Sequence, residues 1–590
     1  MSTATRDQYG RATTVTDADG RPTNTTYTPA TGAQPTTVLV KDPLTHPTTT
    51  NLDALRGLPV KVTDPGGYIT STQYDALGRL TAAWPPGRNP VTQAPNLKYT
   101  YTISNTGPSV VNTYALNEDQ VHVTYRVTET LYDSLLRSRE TQTQTPDGFR
   151  TITDTTYNTD GLVSATTDPY FNQAPVSPTF VQAQPGQVDS TTAYLYDGAG
   201  RRTDTISYAQ AIETWRTRYR YGGGNVTTTI PPAGGTATST FTDARGRTTD
   251  LYQYHAGVSA DPVTAPPTDY DHTSYTYTPA GQRAGLTDPA GNTWSWQYNL
   301  LGQQTQATDP DAGTTTSSYD NAGQVLTRTD GRGAQTTYRY DNAGRRTARY
   351  DTTTTQTLSA ANQLAAWTYD TVKTGYPASA TSFSGGDTYT TTILSYGLFA
   401  KPTAIRTTLT GEDPALIPAT GYTTSYGFSL IGTPNNHIDP ASGGLPNESI
   451  TEGLTDFGWP HTLGSSRWTS VSAVGYSHFG QPLQYTLPTT GSNVFLGLTY
   501  DPQTRAVTDS QVTGTAGVLD HTTYHYSTAA VSKGAGLLMS TVDNQGGGTI
   551  DTQCYDYDYA ARLRQAWPGP PPTTAPPPPP RATPAQSAAR

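Results

Sequence analysis

Residues 319–345 read YDNAGQVLTRTDGRGAQTTYRYDNAGR, and this stretch decides the fold. Asp341-Asn342-Ala343-Gly344 has the composition of a tight turn. An aspartate at the first position accepts a backbone bond from two residues on, and a glycine supplies positive φ. The pattern predicts a type I turn followed by a bulge. Asp330-Gly331-Arg332-Gly333 predicts a second turn at the opposite end. Between them, Ala334 to Tyr340 alternates and suits a strand of about six residues. One unit of 21 residues is therefore one β-hairpin, which cannot bury its own face and needs neighbours on both sides.

The unit recurs. Tyr277, Tyr298, Tyr319 and Tyr340 stand 21 apart, followed four residues later by Gly281, Gly302, Gly323 and Gly344, then by Gln282, Gln303, Gln324 and Arg345. Asp320 and Asp341 occupy the turn position in two of these copies. The same register appears at Tyr74, Asp75, Gly78 and Arg79, and again at Tyr196, Asp197, Gly200 and Arg201. Tyr476 with Gly480-Gln481 is a further copy. With 40 Tyr and 55 Gly in 590 residues, about four Tyr-x-x-x-Gly spacings arise by chance, and well under one with Arg or Gln next. Seven such copies stand above that background.

Composition agrees. Only 33% of residues are hydrophobic, too few for one thick dry core. Net charge is just −10, and abundant Tyr and Thr favour strands over disorder. A thin, hydrated sheet is expected. Tyr338 and Tyr340 share a face by the two-residue period, as do Trp294, Trp296 and Tyr298, so stacked hairpins are expected to align rings in ladders across strands.

The [YF]-D-x-x-G-[RQ] unit resembles the Rhs or YD repeat, best at Tyr74–Arg79 and over 277–351. The resemblance implies an all-β fold of antiparallel hairpins in one continuous ribbon, curved into a partial hollow shell or barrel-like cocoon. It also implies a place among bacterial polymorphic toxins or wall-associated proteins, and a secreted or cell-surface location. No signal peptide is visible at the N-terminus, and no apolar run is long enough for a membrane helix. The family's C-terminal cleavage and toxin region is not visible, so the chain reads as a fragment.

Along the chain, 1–95 carries YD-type repeats and 96–131 is degenerate. The repeat core covers 132–351, with interruptions near 172–190 and 209–240. Residues 352–470 form a degenerate β region, and 471–567 carry further repeats. Ser359 to Trp367 is expected to be a short helix with Ser359 as N-cap. Residues 568–590 contain five consecutive prolines and are expected to be a disordered tail or the product of a truncation or frame change.

Few residues suggest chemistry. Asp288-Pro289-Ala290-Gly291, Asp309-Pro310 and Asp64-Pro65-Gly66-Gly67 resemble elements used for aspartyl self-cleavage in toxin-bearing relatives, but their repeat spacing reads as turns. His521 and His525 have a helical metal spacing in a strand context and lack a third ligand. Asp17-Ala18-Asp19-Gly20 lacks the remaining ligands of a calcium loop. Cys554 is the one cysteine, so no internal disulfide forms. No catalytic, cofactor or metal residues are assigned. The acidic balance, with no basic stripe, argues against nucleic acid.

Three functions fit, in this order. The first is a non-catalytic structural or encapsulating shell segment, in toxin delivery or as a surface scaffold, with the remainder of a shell or a toxin cargo as partner. The second is a repeat adhesin that binds carbohydrate, with Trp294 and Trp296 as the sugar-stacking residues. The third is a glycosidase-like enzyme, which would need two carboxylates about 5–10 Å apart in a cleft.

Overall fold

The computed structural model describes residues 2–118, 122–232, 235–255, 257–260, 265–411, 418, 420–527, 536–546, 548–558 and 560–569. The proline-rich tail from 570 lies outside them. The described residues hold 46 β-strands and three single-turn 3-10 segments. None of their helices is long and apolar enough to cross a membrane.

The chain divides into two compact units. The first joins 1–102, 111–128 and 276–468; the second joins 103–110, 129–275 and 469–590. In the first, strands pair antiparallel with their successors from Thr3–Arg6 to Leu80–Trp84 and from Arg283–Thr287 to Pro460–Ser465. In the second, the same holds from Ser190–Tyr196 to Thr248–Tyr254 and from Ala473–Tyr476 to Leu563–Pro568. Thr and Tyr dominate these strands. Their branched or aromatic side chains pack on a pleated surface, so cross-strand pairing supplies what a thick core does not.

The sheet is thin, as composition predicts. Among the described residues fifteen apolar and eighteen polar side chains are buried. The buried polar groups need partners, since an unmet one costs about 1–3 kcal/mol. Many find them along the sheet, as Thr228, Ser239 and Tyr254 do in a chain of hydroxyls 2.7 and 2.9 Å apart.

One expected element is corrected. Ser359 does cap a turn, with Asn362 reciprocating, but the turn covers only Ala360–Asn362. Gln363–Tyr369 is a strand, paired with Arg346–Asp351 on one side and Pro377–Ser384 on the other. Two neighbouring edges outweigh the helix propensity of Ala, Gln and Leu there. The interruption at 209–240 is also milder than its sequence suggests. Arg202–Ala209 and Ile212–Gly222 form a hairpin across Gln210-Ala211, both at positive φ, and Val226–Ile230 and Thr238–Thr242 continue the ribbon. The motif is lost there while the pairing persists.

Candidate functional site

The repeat motif builds a clamp. At Asp341 the carboxylate Oδ1 accepts from Ala343 N and Arg345 N, both at 2.9 Å, while Oδ2 accepts from Arg345 Nε at 2.7 Å. Gly344, at φ +79°, donates its N–H back to the Asp341 carbonyl. The strands then shift register at Tyr340, the expected bulge. Asp75 with Gly78 and Arg79, and Asp197 with Gly200 and Arg201, repeat these bonds. In the copies that begin at Tyr277, Tyr298 and Tyr319, Thr278, Asn299 and Asp320 take the carboxylate's place or hold it. Gly281, Gly302 and Gly323 stay at positive φ. The side chain of Arg201 first, then backbone N–H groups, holds the Asp197 carboxyl below the usual carboxylate range. Arg247 does the same to Asp243.

The same residues couple each repeat to the next. The Arg345 guanidinium lies over the Tyr369 ring at 4.3 Å, and the Tyr369 hydroxyl donates to the Arg346 carbonyl at 2.8 Å. Arg79 with Tyr101, Arg137 with Tyr157 and Arg201 with Tyr221 are arranged alike, at 4.2–4.4 Å. Each hydroxyl bonds the carbonyl just after the arginine. Where glutamine follows the glycine, the hydroxyl bond survives: Tyr298 to Arg283 O, Tyr319 to Gln304 O and Tyr340 to Val325 O. The glutamine instead reaches the next turn, as Gln324 Nε2 does to Gly344 O at 2.6 Å. A cation–π contact of about 0.5–1 kcal/mol and a hydrogen bond of similar net worth thus join consecutive hairpins. This corrects the ring ladders expected from sequence. Stacked rings occur locally, as at Tyr252 and Tyr270, 4.0 Å apart, but Tyr298, Tyr319 and Tyr340 hold their neighbours by the phenol oxygen.

The other singled-out residues also serve the sheet. Trp294 donates its indole N–H to Asp309 Oδ2 at 2.9 Å, and Trp296 lies beneath the Arg283 guanidinium. Both rings are half-buried. Asp288 closes a turn on Asn292, and the Asp309 carboxylate caps Asp311 and Ala312. Asp17 receives Arg21 as Asp341 receives Arg345. His521 pairs with Asp509 at 2.9 Å on a strand. Among the described residues no three His, Cys, Asp or Glu side chains gather as a metal site. Cys554 is buried, and burial pushes its thiol pKa up, which leaves little of the reactive thiolate.

Two features were not legible in the sequence. The first is a seam. Arg21 Nη1 donates to Gln324 Oε1, 303 positions away. Lys373 donates to Gly66 O, 307 away, and the Tyr376 hydroxyl to the Asp64 carboxylate, 312 away. Asn96 reaches Leu430 O at 334 and Glu118 accepts from Leu430 N at 312. In the second unit Arg505 reaches Pro169 O at 336. Within each unit, then, hairpins dock on others roughly fifteen repeats away. In the first unit this seam includes an apolar cavity of about 480 Å³ walled by Trp84, Leu97, Leu116, Phe399, Ile431 and Phe457.

The second is a buried polar face at Glu129, Glu140, Gln142 and Arg150, covered by 170–181, where the repeat register breaks. Glu140 and Asp154 are direct cross-strand partners. Burial pushes the pKa values of Glu129 and Glu140 up.

A family model described as RHS Repeat matches residues 55–83, 277–315 and 319–356. No curated protein matches the sequence. Solved structures do. The crystal structure of TcdB2-TccC3-Cdc42 aligns with 96% of this chain and 32% of its own, at 16% identity and TM-score 0.69. That of TcdB2-TccC3 aligns over 96% and 30%, at 17% identity and TM-score 0.71. The Photorhabdus luminescens Tc holotoxin pore with a TccC3 variant aligns over 95% and 32%, at 14% identity and TM-score 0.73. The chain spans about a third of the length of these structures' chains and shares their fold.

Proposed function

We infer, from the premise that this chain is an Rhs/YD-repeat protein, that it is a length of non-catalytic wall in a toxin-related shell. One observation carries the reading: the motif side chains are spent on their own turn and on the next repeat. Asp341 holds Arg345, Arg345 holds Tyr369, and Tyr369 holds the backbone beside Arg345. A residue so engaged is not free to meet a substrate. The wall has no reaction of its own in this reading. Its partners are the remainder of a shell and a polypeptide cargo behind it, and it works outside the cell or at its surface. The chain's fit to about a third of chains from TcdB2-TccC3 assemblies supports this context.

The test is protection. An unstructured reporter polypeptide would be fused after the chain in its full genomic length and exposed to protease. A shell is expected to prolong the reporter's lifetime at least about tenfold over the free reporter. Equal lifetimes would sink the reading.

A further inference from the structure

We propose that residues 170–181 are a strap across the strands Ser138–Gln144 and Arg150–Tyr157, held closed by the proton that Glu140 keeps opposite Asp154 and released when that proton is lost to water. The proposal stands apart from the wall reading and concerns the second unit alone.

The strap is fastened by side chains from beneath. Val181 N donates to Glu140 Oε2 at 2.8 Å, and Ser177 N donates to Gln142 Oε1 at 2.8 Å. Gln142 Nε2 bridges Glu140 Oε1 and the Thr179 carbonyl at 2.6 and 3.0 Å. Arg150 holds Gln142 Oε1, Ser177 Oγ and Asn172 Oδ1 at 2.8–3.0 Å. Tyr170 donates to Asp154 Oδ2 at 2.8 Å. Glu140 is 2% exposed, Gln142 0% and Tyr170 1%.

The charge does not balance without a proton. Two buried carboxylates, Glu129 and Glu140, face one buried guanidinium, Arg150, and Asp154 adds a third beside Glu140. Arg139 lies 3.9 Å from Asp154 at the rim. Glu129 Oε2 is buried with no hydrogen-bond partner. Glu140 and Asp154 stand opposite each other on paired strands, and adjacent carboxylates in a desolvated site do not both ionise. Tyr170 remains a phenol, since burial first and then the bond to Asp154 push it up. At the strap's start, His478 stacks on Phe171 at 3.7 Å and sits 3.3 Å from Asp147, while Arg505 holds Pro169 O and lies 3.5 Å from Asp189.

Loss of the proton places two negative charges face to face, and opening the strap lets water reach them. Release has a backbone consequence. Tyr170–Asn172 pairs with Arg150 to Ile152, and Val163–Thr167 pairs only farther along, from Thr155 to Tyr157. An open strap therefore bares one edge of Arg150–Ile152, and bare strand edges recruit other strands.

Amide exchange of the full chain between pH 5 and 8, corrected for the chemical exchange rate, tests this. Opening at Ser177 and Val181 is expected to rise about tenfold per pH unit from the ordinary carboxylate range up to the raised value of Glu140 in the closed strap, and to level off above it. Asp154→Asn places a neutral donor opposite Glu140 and is expected to flatten that slope. Glu140→Gln removes the same proton site and serves if Asp154→Asn does not fold, as read from exchange in the paired strands 202–222 of the same unit. Tyr170→Phe is expected to lower protection at every pH while keeping the slope. A flat wild-type profile overturns the proposal, as does a wild-type slope in the neutral variants.

Discussion

Tyr369 shows what the motif tyrosine does. Its ring carries the Arg345 guanidinium and its hydroxyl closes on the Arg346 carbonyl, so ring and oxygen have separate tasks. Tyr340→Phe keeps the ring and deletes the bond to Val325 O. It should cost about 1 kcal/mol, seen as a roughly fivefold faster exchange of amides around 325–345. Gly344→Ala strains a residue at φ +79° and brings a methyl to 3.1 Å from Gln324 Nε2. A loss of about 1–2 kcal/mol is expected, measurable as a lower denaturant midpoint. Trp294→Phe should lose the indole bond to Asp309 at about 1 kcal/mol; an unchanged midpoint would reopen a role for that ring outside the sheet.

At the scale of the hairpin, the turns and the strap respond to pH in opposite senses. Asp197 and Asp243 have folded pKa values below their unfolded ones, because Arg201 and Arg247 bond the carboxylates. Their stabilisation is present above the ordinary carboxylate range and is lost as pH falls through the lowered values. Glu129 and Glu140 are shifted the other way, first by burial. Their folded forms hold protons more tightly, so that stability is full below the ordinary carboxylate range and declines as pH rises through the raised values. Exchange at turn amides 197–201 is expected to accelerate in acid, and exchange at 177–181 towards neutral pH. The same direction at both places would contradict this assignment.

At the scale of the whole molecule, stability depends on the seams within each unit as well as on the ribbon. In the first unit the Tyr376 phenol bonds the Asp64 carboxylate, a charge-assisted contact worth about 1.5–3 kcal/mol. Tyr376→Phe should lower the first thermal transition by several degrees, whereas Leu55→Ser at an exposed turn should leave it unchanged. The hairpins were legible in the sequence because their causes are local. Asp, Gly and Arg meet within five residues, and Thr and Tyr alternate between turns, so Asp341, Gly344 and Arg345 announce their turn wherever they occur. The strand at Gln363–Tyr369 was not legible, because its neighbours' edges decide it against local propensity. Nor were the docking of Tyr376 on Asp64 or the burial of Glu140 under Val181. Those contacts join residues 312 and 41 positions apart, and no local pattern states which distant hairpin a ribbon will meet. Local hydrogen-bond geometry is written into consecutive residues; long-range docking depends on twist accumulated over many repeats, and only the folded chain expresses it.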